Sequence, residues 1–574
     1  MRPLCLSRSV YRAPTGRRAQ AVISIQAEPL VTDIETLPEP QVETPVESKA
    51  DAAPSATPDS PDAKPAAPPP QEVEIKFTTD AAGLAAALAS PLLRVEGASP
   101  ARKLISIYFD TPNWDLKKRK MALRVRRSGR GAPVMTLKWP LQTMGDSFTR
   151  GEIEVKASKM EPDLALFDAD VAAGLREIIG DAPLEAKYET RVSRVTRLIT
   201  RGATKIEAAF DDGLIHASGK ELPLREVELE LKSGLPQDLH DFAALLAEAL
   251  PLRLDLVSKA ERASHFCLGS EPKPVKAKPA ALPGDANLDE ATAQIILGAI
   301  DHYLANWASL RVSDAPESIH QMRVALRRLR AALGMLKRAI PCPEFEEFRA
   351  EAKELATALG AARDSDALRE LIEDGPMGHF GERKDFAPLL DALEQRRAAA
   401  YADSRALIES ARPTLFVLRL SAFVSRRGWR NAVNGAQLTT LTEPVALFAA
   451  QALDRLHERV LKRGKKLVTL PDEKRHEVRI ALKNLRYGAE FFASCFEDQR
   501  DSTPFVRAAA NLQEILGAHN DAASADHFLS QSHATEAARA AGIVSGWYAR
   551  GALIADEGLA KEWKRFKKLR PFWR

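Results

Sequence analysis

The sequence predicts a multidomain protein in which an antiparallel β region of α+β type precedes an all-α region. The chain has 574 residues, which is too long for one ordinary hydrophobic core. Its first half contains stretches in which charged and apolar residues alternate, and this is the period of a β-strand. From about Asp285 onward, apolar residues recur at spacings of three and four, which is the period of a helix.

The predicted strands carry charge on one face only. In Glu72–Phe77 two carboxylates and one ammonium alternate with apolar residues. The pattern returns at Glu152–Lys156 and Glu226–Lys232, with cationic counterparts at Leu123–Arg126 and Thr136–Lys138. One explanation is an open antiparallel sheet whose polar face meets water. The other is a closed barrel whose lumen holds the charges, where carboxylates would bind divalent cations and Arg and Lys would contact phosphate oxygens.

The order of the motifs favours the closed barrel, because together they resemble a known family. They are Glu72-x-Glu-x-Lys76, Tyr108-Phe-Asp-Thr111, Leu123-Arg-Val-Arg126, Thr136-Leu-Lys138, Arg150-Gly-Glu-Ile-Glu154, Lys187-Tyr-Glu-Thr-Arg191, Glu226-Val-Glu-Leu-Glu230 and Ser258-Lys-Ala-Glu-Arg262. In this order they resemble the triphosphate tunnel metalloenzymes, also called the CYTH family. The resemblance covers roughly residues 70 to 270. It implies an eight-stranded antiparallel tunnel that binds triphosphate groups and Mg²⁺ or Mn²⁺.

The resemblance also implies roles for individual residues. The cations would orient the triphosphate, and they are Lys76, Arg124, Arg126, Lys138, Arg150, Lys187, Arg191 and Lys259. The acidic residues would hold the metal, and they are Glu72, Glu74, Asp211, Glu226, Glu228 and Glu230. Either Glu152 or Glu154 would support the attack of a water on the terminal phosphorus.

Three of these assignments have a structural alternative. Lys76 and Lys259 could instead form salt bridges to a neighbouring glutamate inside the lumen. Asp211 could instead cap a turn at Gly213, because Asp shortly before Gly is common in turns.

The helical half contains an internal duplication. His320–Arg330 aligns with His476–Arg486, and each segment precedes a Gly-Ala-x-x-Asp type turn, at Gly360 and at Gly517. At the helical period the basic residues of each copy share one narrow arc, whereas a separate apolar stripe faces away from it. Two such helices facing one another would form a positive groove for a polyanion.

This half resembles the CHAD domain, a histidine-rich helical domain that is associated with inorganic polyphosphate. The resemblance covers roughly residues 285 to 570. It implies a duplicated helical bundle whose polyphosphate-binding residues are His320, Arg323, Arg327, Arg330, His476, Arg479, Lys483 and Arg486. Each histidine could instead satisfy a helix contact in the core.

We expect four segments. Residues 1–70 are predicted to be a disordered Pro/Ala-rich extension, whose Arg-rich start is a targeting segment, a tail or a misassigned start. Residues 71–270 form the tunnel domain, 271–284 a linker and 285–574 the helical domain. The four cysteines have no pair spacing, and no apolar run approaches the length of a membrane span. We therefore expect a cytoplasmic protein with no membrane partner.

Two classes of function remain. The first is an inorganic triphosphatase that hydrolyses tripolyphosphate, or instead a nucleoside or thiamine triphosphate, while the helical domain binds inorganic polyphosphate. The second is a non-catalytic polyphosphate-binding protein that is localised to polyphosphate granules. Nucleic acid is a minor alternative, suggested by the mixture of cations and aromatic residues near Trp563.

Overall fold

The computed structural model of the protein describes residues 71–574 except 96–98, 141–148, 279–281, 284, 381–385, 497–500, 519–521, 524–528 and 530–536. The predicted extension 1–70 lies outside the described residues. The strands are β1 Gln71–Thr78, β2 Arg102–Asp110, β3 Ala122–Ser128, β4 Val134–Pro140, β5 Thr149–Lys156, β6 Glu185–Arg201, β7 Thr204–Ala217, β8 Lys220–Ser233 and β9 Arg253–Leu254.

The helices of the tunnel region are α1 Ala81–Ala89, α2 Asp115–Lys118, α3 Ala169–Ile179, α4 Pro236–Ala249 and α5 Lys259–Leu268. The helical region contains α6 Leu288–Leu304, α7 Trp307–Val312, α8 Pro316–Leu336, α9 Pro343–Ala358, α10 Gly360–Ile372, α11 Gly378–Phe380, α12 Ala387–Glu409, α13 Ala411–Ser425, α14 Gly435–Thr442, α15 Val445–Arg463, α16 Asp472–Phe492, α17 Thr503–Ile515 and α18 Ala538–Lys568. Single 3₁₀ turns occur at Pro91–Leu93, Leu164–Leu166, Gly428–Ala432, Leu467–Thr469 and Ala493–Phe496, and a π turn at Glu373–Met377.

Strands β1 to β8 close into an antiparallel tunnel. Their order is β5-β4-β3-β2-β6-β7-β8-β1, and β1 pairs again with β5, so that Glu72 lies opposite Arg150. The far end of the same β1 edge is taken by β9, with Phe77 opposite Leu254. The predicted eight-stranded tunnel is therefore confirmed for the described residues.

The tunnel has its apolar core on the outside. Ile75 and Phe77 of β1 point away from the lumen and are fully buried with residues of α1 and α4. Val125 of β3 and Met135 of β4 are buried in the same way with residues of α3. Because side chains alternate along a strand, the charged residues between these positions face inward. An open sheet with a water-facing polar side is thereby excluded.

The helical region begins after a stretch without regular secondary structure. Val275 of this stretch exchanges two hydrogen bonds with the side chain of Asn306. Helix α6 starts with a capping box formed by Asn287 and Glu290, and proline occupies the first turn of α8, α9, α12 and α17. None of the helices described here is long and apolar enough to cross a membrane.

The duplicated segments form the equivalent helices α8 and α16, which are each 21 residues long. Their predicted apolar stripes are buried, and these stripes comprise Met322, Leu326, Leu329 and Leu333 in the first copy and Val478, Leu482, Leu485 and Ala489 in the second. A Cβ on Gly360 would lie 3.2 Å from Arg323, and one on Gly517 would lie 3.3 Å from Arg479. The first predicted turn is wrong in one respect, because Gly360 begins helix α10 after a break at Leu359.

The two regions share one apolar core. Helix α4 of the tunnel region packs against α13 of the helical region, and residues of both belong to the same continuous cluster of buried side chains. Phe242 of α4 and Phe416 of α13 are among its fully buried aromatic residues. Separating the regions would therefore expose apolar surface on both sides.

Candidate functional site in the tunnel and in the helical region

The strand register brings most of the predicted tunnel residues to one inward face. Residues directly opposite each other on paired strands lie on the same side of a sheet. Following such pairs around the tunnel gives the inward residues Glu72, Glu74 and Lys76 of β1, Arg124 and Arg126 of β3, Lys138 of β4, Arg150, Glu152 and Glu154 of β5, Asp211 of β7 and Glu226, Glu228 and Glu230 of β8.

The most deeply buried part of this face is an acidic cluster on β7 and β8. Asp211, Glu226 and Glu228 each offer a carboxylate oxygen within 4.8 Å of the others. The ammonium of Lys259 lies between them, 2.9 Å from Asp211 and 2.6 Å from Glu226, and it also donates to Glu228. Of the two roles predicted for Lys259, the structure therefore shows the salt bridge.

The position of Lys259 follows from the local structure of α5. Ser258 caps this helix by accepting a hydrogen bond from the backbone N–H of Glu261, and Gly269 ends it in the left-handed conformation with φ of 58°. Lys259 and Arg262 therefore lie on the first turn, one above the other on the same face. This face covers the acidic cluster.

Asp211 does not form the turn that was one of its two predicted roles. Strand β7 runs without a break from Thr204 to Ala217, and Asp211 lies inside it with no exposed surface. Gly213 is needed for a different reason, because a Cβ there would lie 2.1 Å from the carbonyl oxygen of Arg191. The strand therefore uses its glycine for close packing between strands.

Arg194 is a lumen residue that the sequence reasoning missed. Its guanidinium donates to both carboxylate oxygens of Asp211, at 2.7 and 2.6 Å, and to Glu228 at 2.5 Å. Burial alone would raise the pKa of Glu228, but Lys259, Arg194 and Lys76 hold it well below its usual value. Because side chains alternate along a strand, Arg194 lies on the same face of β6 as Tyr188. The sequence could have indicated Arg194 only if this face had been known to point into the lumen.

Lys187 and Arg191 are not brought into the cluster. Arg191 lies an odd number of residues from Arg194 on the same strand, and therefore on its outer face. Lys187 lies at a β-bulge, where the register with β2 shifts between the pairs Tyr108–Tyr188 and Phe109–Ala186. Arg191 pairs with Glu189 at 2.6 Å, and 60% of its side chain is exposed. Lys187 pairs with Glu185 at 2.7 Å and lies over the ring of Trp114.

A second group of carboxylates lies on β1 and β8. Glu72 accepts a hydrogen bond from Lys138 at 2.6 Å, although β5 lies between their two strands, so the wall curves around the pair. Burial and the repulsion of Glu228 and Glu72 raise the pKa of Glu74 to about 7. Burial also raises the pKa of Glu230. Burial therefore disfavours the charged form of both carboxylates, and at Glu74 the neighbouring Glu228 and Glu72 add to this effect.

The opposite wall is cationic. Burial and the neighbouring Arg124 and Arg194 lower the pKa of Arg126 to about 10, and its Nε donates to Ser106 at 3.0 Å. Arg124 lies 3.6 Å from Glu152 and 3.8 Å from Glu154. Burial alone would raise the pKa of Tyr108, but Arg124, Arg126 and Lys259 lower it. This wall is therefore suited to an anion.

Two further cations contact backbone carbonyls near α5. Lys76 donates to the carbonyl of Val257, and Arg150 donates to that of Leu256 at 3.2 Å. Burial lowers the pKa of Lys76. Within the part of the chain that the structure describes, neither Lys76 nor Arg150 forms a salt bridge with a carboxylate, so the alternative role predicted for Lys76 is not seen there.

The donor set of the tunnel fits a divalent cation. Hard cations such as Mg²⁺ prefer carboxylate oxygens, and these converge at Asp211, Glu226 and Glu228. A cation at that point would have to displace the ammonium of Lys259. The repulsion between Glu74 and Glu228 marks a second region where added positive charge would be stabilising.

The helical region has a separate basic cleft with a volume of about 380 Å³. It is lined by Arg323, Arg327 and Arg330 of α8, by Lys353 of α9 and by Arg396 of α12. Within the described part of the chain, the Nε groups of the three α8 arginines are buried without a hydrogen-bond partner. Burial and the cations Arg363, Arg327 and Arg323 lower the pKa of His320 to about 4.

The second basic arc has a different environment. Arg486 pairs with Glu490 at 3.0 Å, whereas no salt bridge among the described residues involves the three arginines of α8 that line the first cleft. His476 is exposed, whereas His320 is partly buried. The two copies therefore share a fold but differ in the exposure of the histidine and in the described salt bridges of their arginines.

Comparison with known proteins identifies both regions. A model of the CYTH domain matches residues 70–264, and a model of the CHAD domain matches residues 294–530. An uncharacterized protein of Mycobacterium tuberculosis is 28% identical over 482 residues, which cover 78% of this chain and 85% of that protein.

Two other similarities are limited to one region. The inorganic triphosphatase of Haemophilus influenzae is 34% identical over 173 residues, which are 29% of this chain and 45% of that protein. The crystal structure of the CHAD domain from the plant Ricinus communis has 28% sequence identity and a TM-score of 0.45, and the match covers 52% of this chain and 98% of that one. The chain belongs to the proteins in which a CYTH domain is followed by a CHAD domain.

Proposed function

We propose that the tunnel hydrolyses inorganic tripolyphosphate with the help of Mg²⁺ or Mn²⁺, and that the helical domain binds inorganic polyphosphate. The CYTH match and the similarity to the Haemophilus influenzae triphosphatase support the reaction class, which is hydrolysis of a phosphoanhydride bond. The observation that carries the proposal is the enclosure of a cationic wall and an acidic wall within one tunnel.

The cationic wall would bind and orient the substrate. Arg124, Arg126 and Lys138 face the lumen from adjacent strands, so their donors can reach successive phosphate groups of one chain. Charge-assisted hydrogen bonds of this kind are about twice as strong as neutral ones. Arg194 replaces Arg191 in the proposed substrate-binding set, because it faces the lumen from β6.

The acidic wall would hold the metal. Asp211, Glu226 and Glu228, on β7 and β8, would supply oxygen ligands. Glu72, Glu74 and Glu230 form the second group of carboxylates, on the neighbouring strands β1 and β8. When bound, the metal would neutralise the phosphate oxygens and lower the pKa of a water. Lys259 would then be released from the carboxylates and could turn to the phosphate chain.

Glu152 and Glu154 remain the proposed positioning groups for the attacking water. Glu152 is engaged by Arg124 at 3.6 Å and by Lys138 at 3.3 Å, whereas Glu154 accepts a hydrogen bond from Thr136 at 3.0 Å and is more than half exposed. Glu154 therefore has the freer carboxylate for a proton transfer, and Glu152 is better placed to fix the two cations.

The tunnel is tested by measuring phosphate release from tripolyphosphate, ATP and thiamine triphosphate with Mg²⁺ or Mn²⁺. We expect turnover of tripolyphosphate that is lost on chelation of the metal. Replacement of both Glu72→Ala and Glu74→Ala should abolish turnover while the fold is retained, because it removes carboxylates that face the lumen. Absence of release from all three substrates would contradict the proposed enzyme and favour the binding-protein alternative.

The helical cleft is tested by charge reversal. Arg323→Glu together with Arg327→Glu should weaken binding of long-chain polyphosphate, because both residues line the cleft and the buried Nε of each has no hydrogen-bond partner among the described residues. Tripolyphosphate hydrolysis should be retained. Equal loss of both properties would contradict the proposed division between the two domains.

A further inference from the structure

The segment that joins β9 to α5 is held on both of its sides. On one side, β9 pairs with the end of β1, and the backbone N–H of Asp255 donates to the carbonyl of Lys76 at 2.9 Å. On the other side lies the helical domain, which contacts this segment through Arg311 of α7, Glu409 of α12 and Thr414 of α13. The first residues of α5 are therefore placed by contacts from both domains.

Arg311 is the central contact from the helical domain. Its Nη2 donates to the carbonyl of Leu254 at 3.0 Å, and its Nη1 faces the carboxylate of Asp255 at 3.7 Å. Glu409 holds the guanidinium in place by accepting from Nε at 2.8 Å, and it also accepts from Arg253 at 2.9 Å. A planar guanidinium with several fixed donors suits such a bridge better than a single ammonium would.

The bridge continues into the acidic cluster of the tunnel. Asp255 is buried and accepts a hydrogen bond from Arg262 at 2.5 Å, and Arg262 in turn lies 3.0 Å from the fully buried Glu226. Burial alone would raise the pKa of Asp255, but Arg262, Lys76 and Arg311 lower it. A continuous chain of charges therefore runs from α12 and α7 of the helical domain to a proposed metal ligand.

We propose that Arg311 is a positioning residue for the tunnel site, through which the helical domain fixes the orientation of Arg262 and Glu226. This inference rests on the proposed function of the tunnel. Arg311 does not touch the lumen cluster itself, so it acts through Asp255. Arg262 contacts the proposed ligand Glu226 directly, and loss of such a partner usually costs about 10- to 100-fold in metal affinity or activity. Because Arg311 acts through Asp255 and Arg262, we expect an effect near the lower end of this range.

The chain offers a matched control for this contact. Arg419 of α13 pairs with Glu248 of α4 at 3.8 Å across the same domain interface, but both side chains are more than half exposed and neither leads to the tunnel. Exposed pairs of this kind contribute about 0 to 1 kcal/mol. Arg311→Gln and Arg419→Gln therefore remove one interdomain arginine each, and only the first is connected to Glu226.

The test compares the full-length wild type, Arg311→Gln and Arg419→Gln at a temperature well below melting. Calorimetric titration of a non-hydrolysable tripolyphosphate analogue in the presence of Mn²⁺ should show binding weakened at least 10-fold in Arg311→Gln and unchanged in Arg419→Gln. Phosphate release should show kcat lowered by a similar factor. A merely structural role of Arg311 would lower the melting temperature of Arg311→Gln without changing its binding. Unchanged binding by Arg311→Gln would therefore overturn the inference.

Failure of the inference and failure of the proposed function give different results. A wild type that binds tripolyphosphate with Mn²⁺ but releases no phosphate contradicts the proposed hydrolysis, and the inference is still decided by the binding of Arg311→Gln. A wild type that releases phosphate, together with an Arg311→Gln variant that behaves like Arg419→Gln, contradicts the inference alone. A wild type that does not bind tripolyphosphate contradicts both.

Discussion

Replacement of Arg126 by methionine should stabilise the unliganded protein and at the same time impair the tunnel. Arg126 faces the lumen from β3, and its one described hydrogen bond is the 3.0 Å contact to Ser106. Its nearest charged neighbours include Arg124 and Arg194, which repel it. The charge of Arg126 is therefore unfavourable where it lies, and an anion beside it would be stabilising.

The size of this effect follows from the perturbed pKa. Burial and the two arginines lower the pKa of Arg126 from its ordinary value to about 10. At about 1.4 kcal/mol per unit, this disfavours the charged form by about 3 kcal/mol. Because a guanidinium remains protonated in proteins, the penalty lowers the stability of the fold. The lost hydrogen bond to Ser106 is worth about 1 kcal/mol, so the variant should gain about 2 kcal/mol.

The same substitution should reduce triphosphate turnover. A hydrogen bond to a charged group contributes about 1.5–3 kcal/mol, which corresponds to a loss of roughly 10- to 100-fold in kcat/KM. The matched control is Arg127→Met, since Arg127 is the next residue of β3 and is exposed on its outer face. The control should change neither the melting temperature nor the activity.

The assay combines thermal melting in a chelator with steady-state phosphate release in Mg²⁺. Arg126→Met should melt on the order of 5 °C higher than the wild type, given the usual relation between stability and melting temperature for a domain of this size. A lower melting temperature would refute the argument from unneutralised charge. Unchanged kcat/KM would refute the proposed contact with substrate.

Two further predictions concern single residues of the two domains. Glu228→Gln removes one of three converging carboxylates and should lower metal-dependent phosphate release at least 100-fold. The control Glu221→Gln, on the exposed part of the same strand, should leave the rate unchanged. Equal rates for the two variants would show that Glu228 is not part of the metal site. The pKa of His320 is about 4 in the folded protein and 6.5 when unperturbed, so its contribution to stability is present above pH 6.5 and is lost as the pH falls towards 4. Between pH 7.5 and 5 the free energy of unfolding of the wild type should therefore fall by up to about 2 kcal/mol more than that of His320→Gln, as measured by urea titrations. Equal decreases in the two proteins would contradict the lowered pKa of His320.

Much of the tunnel could be predicted because its charge pattern has the period of a strand. The alternation in Glu72–Phe77 determines which residues share a face, and the order of the motifs indicates a closed tunnel rather than an open sheet. The pattern fails on β6, which is 17 residues long and carries charged residues on both faces. The pairing of β6 with β2 and β7 determines which of its faces points into the lumen. The sequence does not contain this information, so it predicts Arg191 as a lumen residue and does not predict Arg194.

The contacts of α5 and of the helical domain depend on tertiary structure to a greater degree. Periodicity places Arg323, Arg327 and Arg330 on one helix face, and in the structure this face lines a cleft together with α9, α10 and α12 rather than with the second basic helix α16. Sequence alone could not show that His320 is partly buried and His476 exposed, because that difference arises from the helices packed around each copy. It also could not connect Arg311 to Asp255, since these residues meet only where the two domains pack together.

The most direct measurement is anomalous diffraction from crystals of the full-length protein soaked with Mn²⁺ and a non-hydrolysable tripolyphosphate analogue. The account predicts a manganese peak within coordination distance of Glu228, with the phosphates of the analogue extending to Arg124 and Arg126. Phosphate density in the cleft of Arg323 and Arg327, with neither manganese nor analogue in the tunnel, would contradict it.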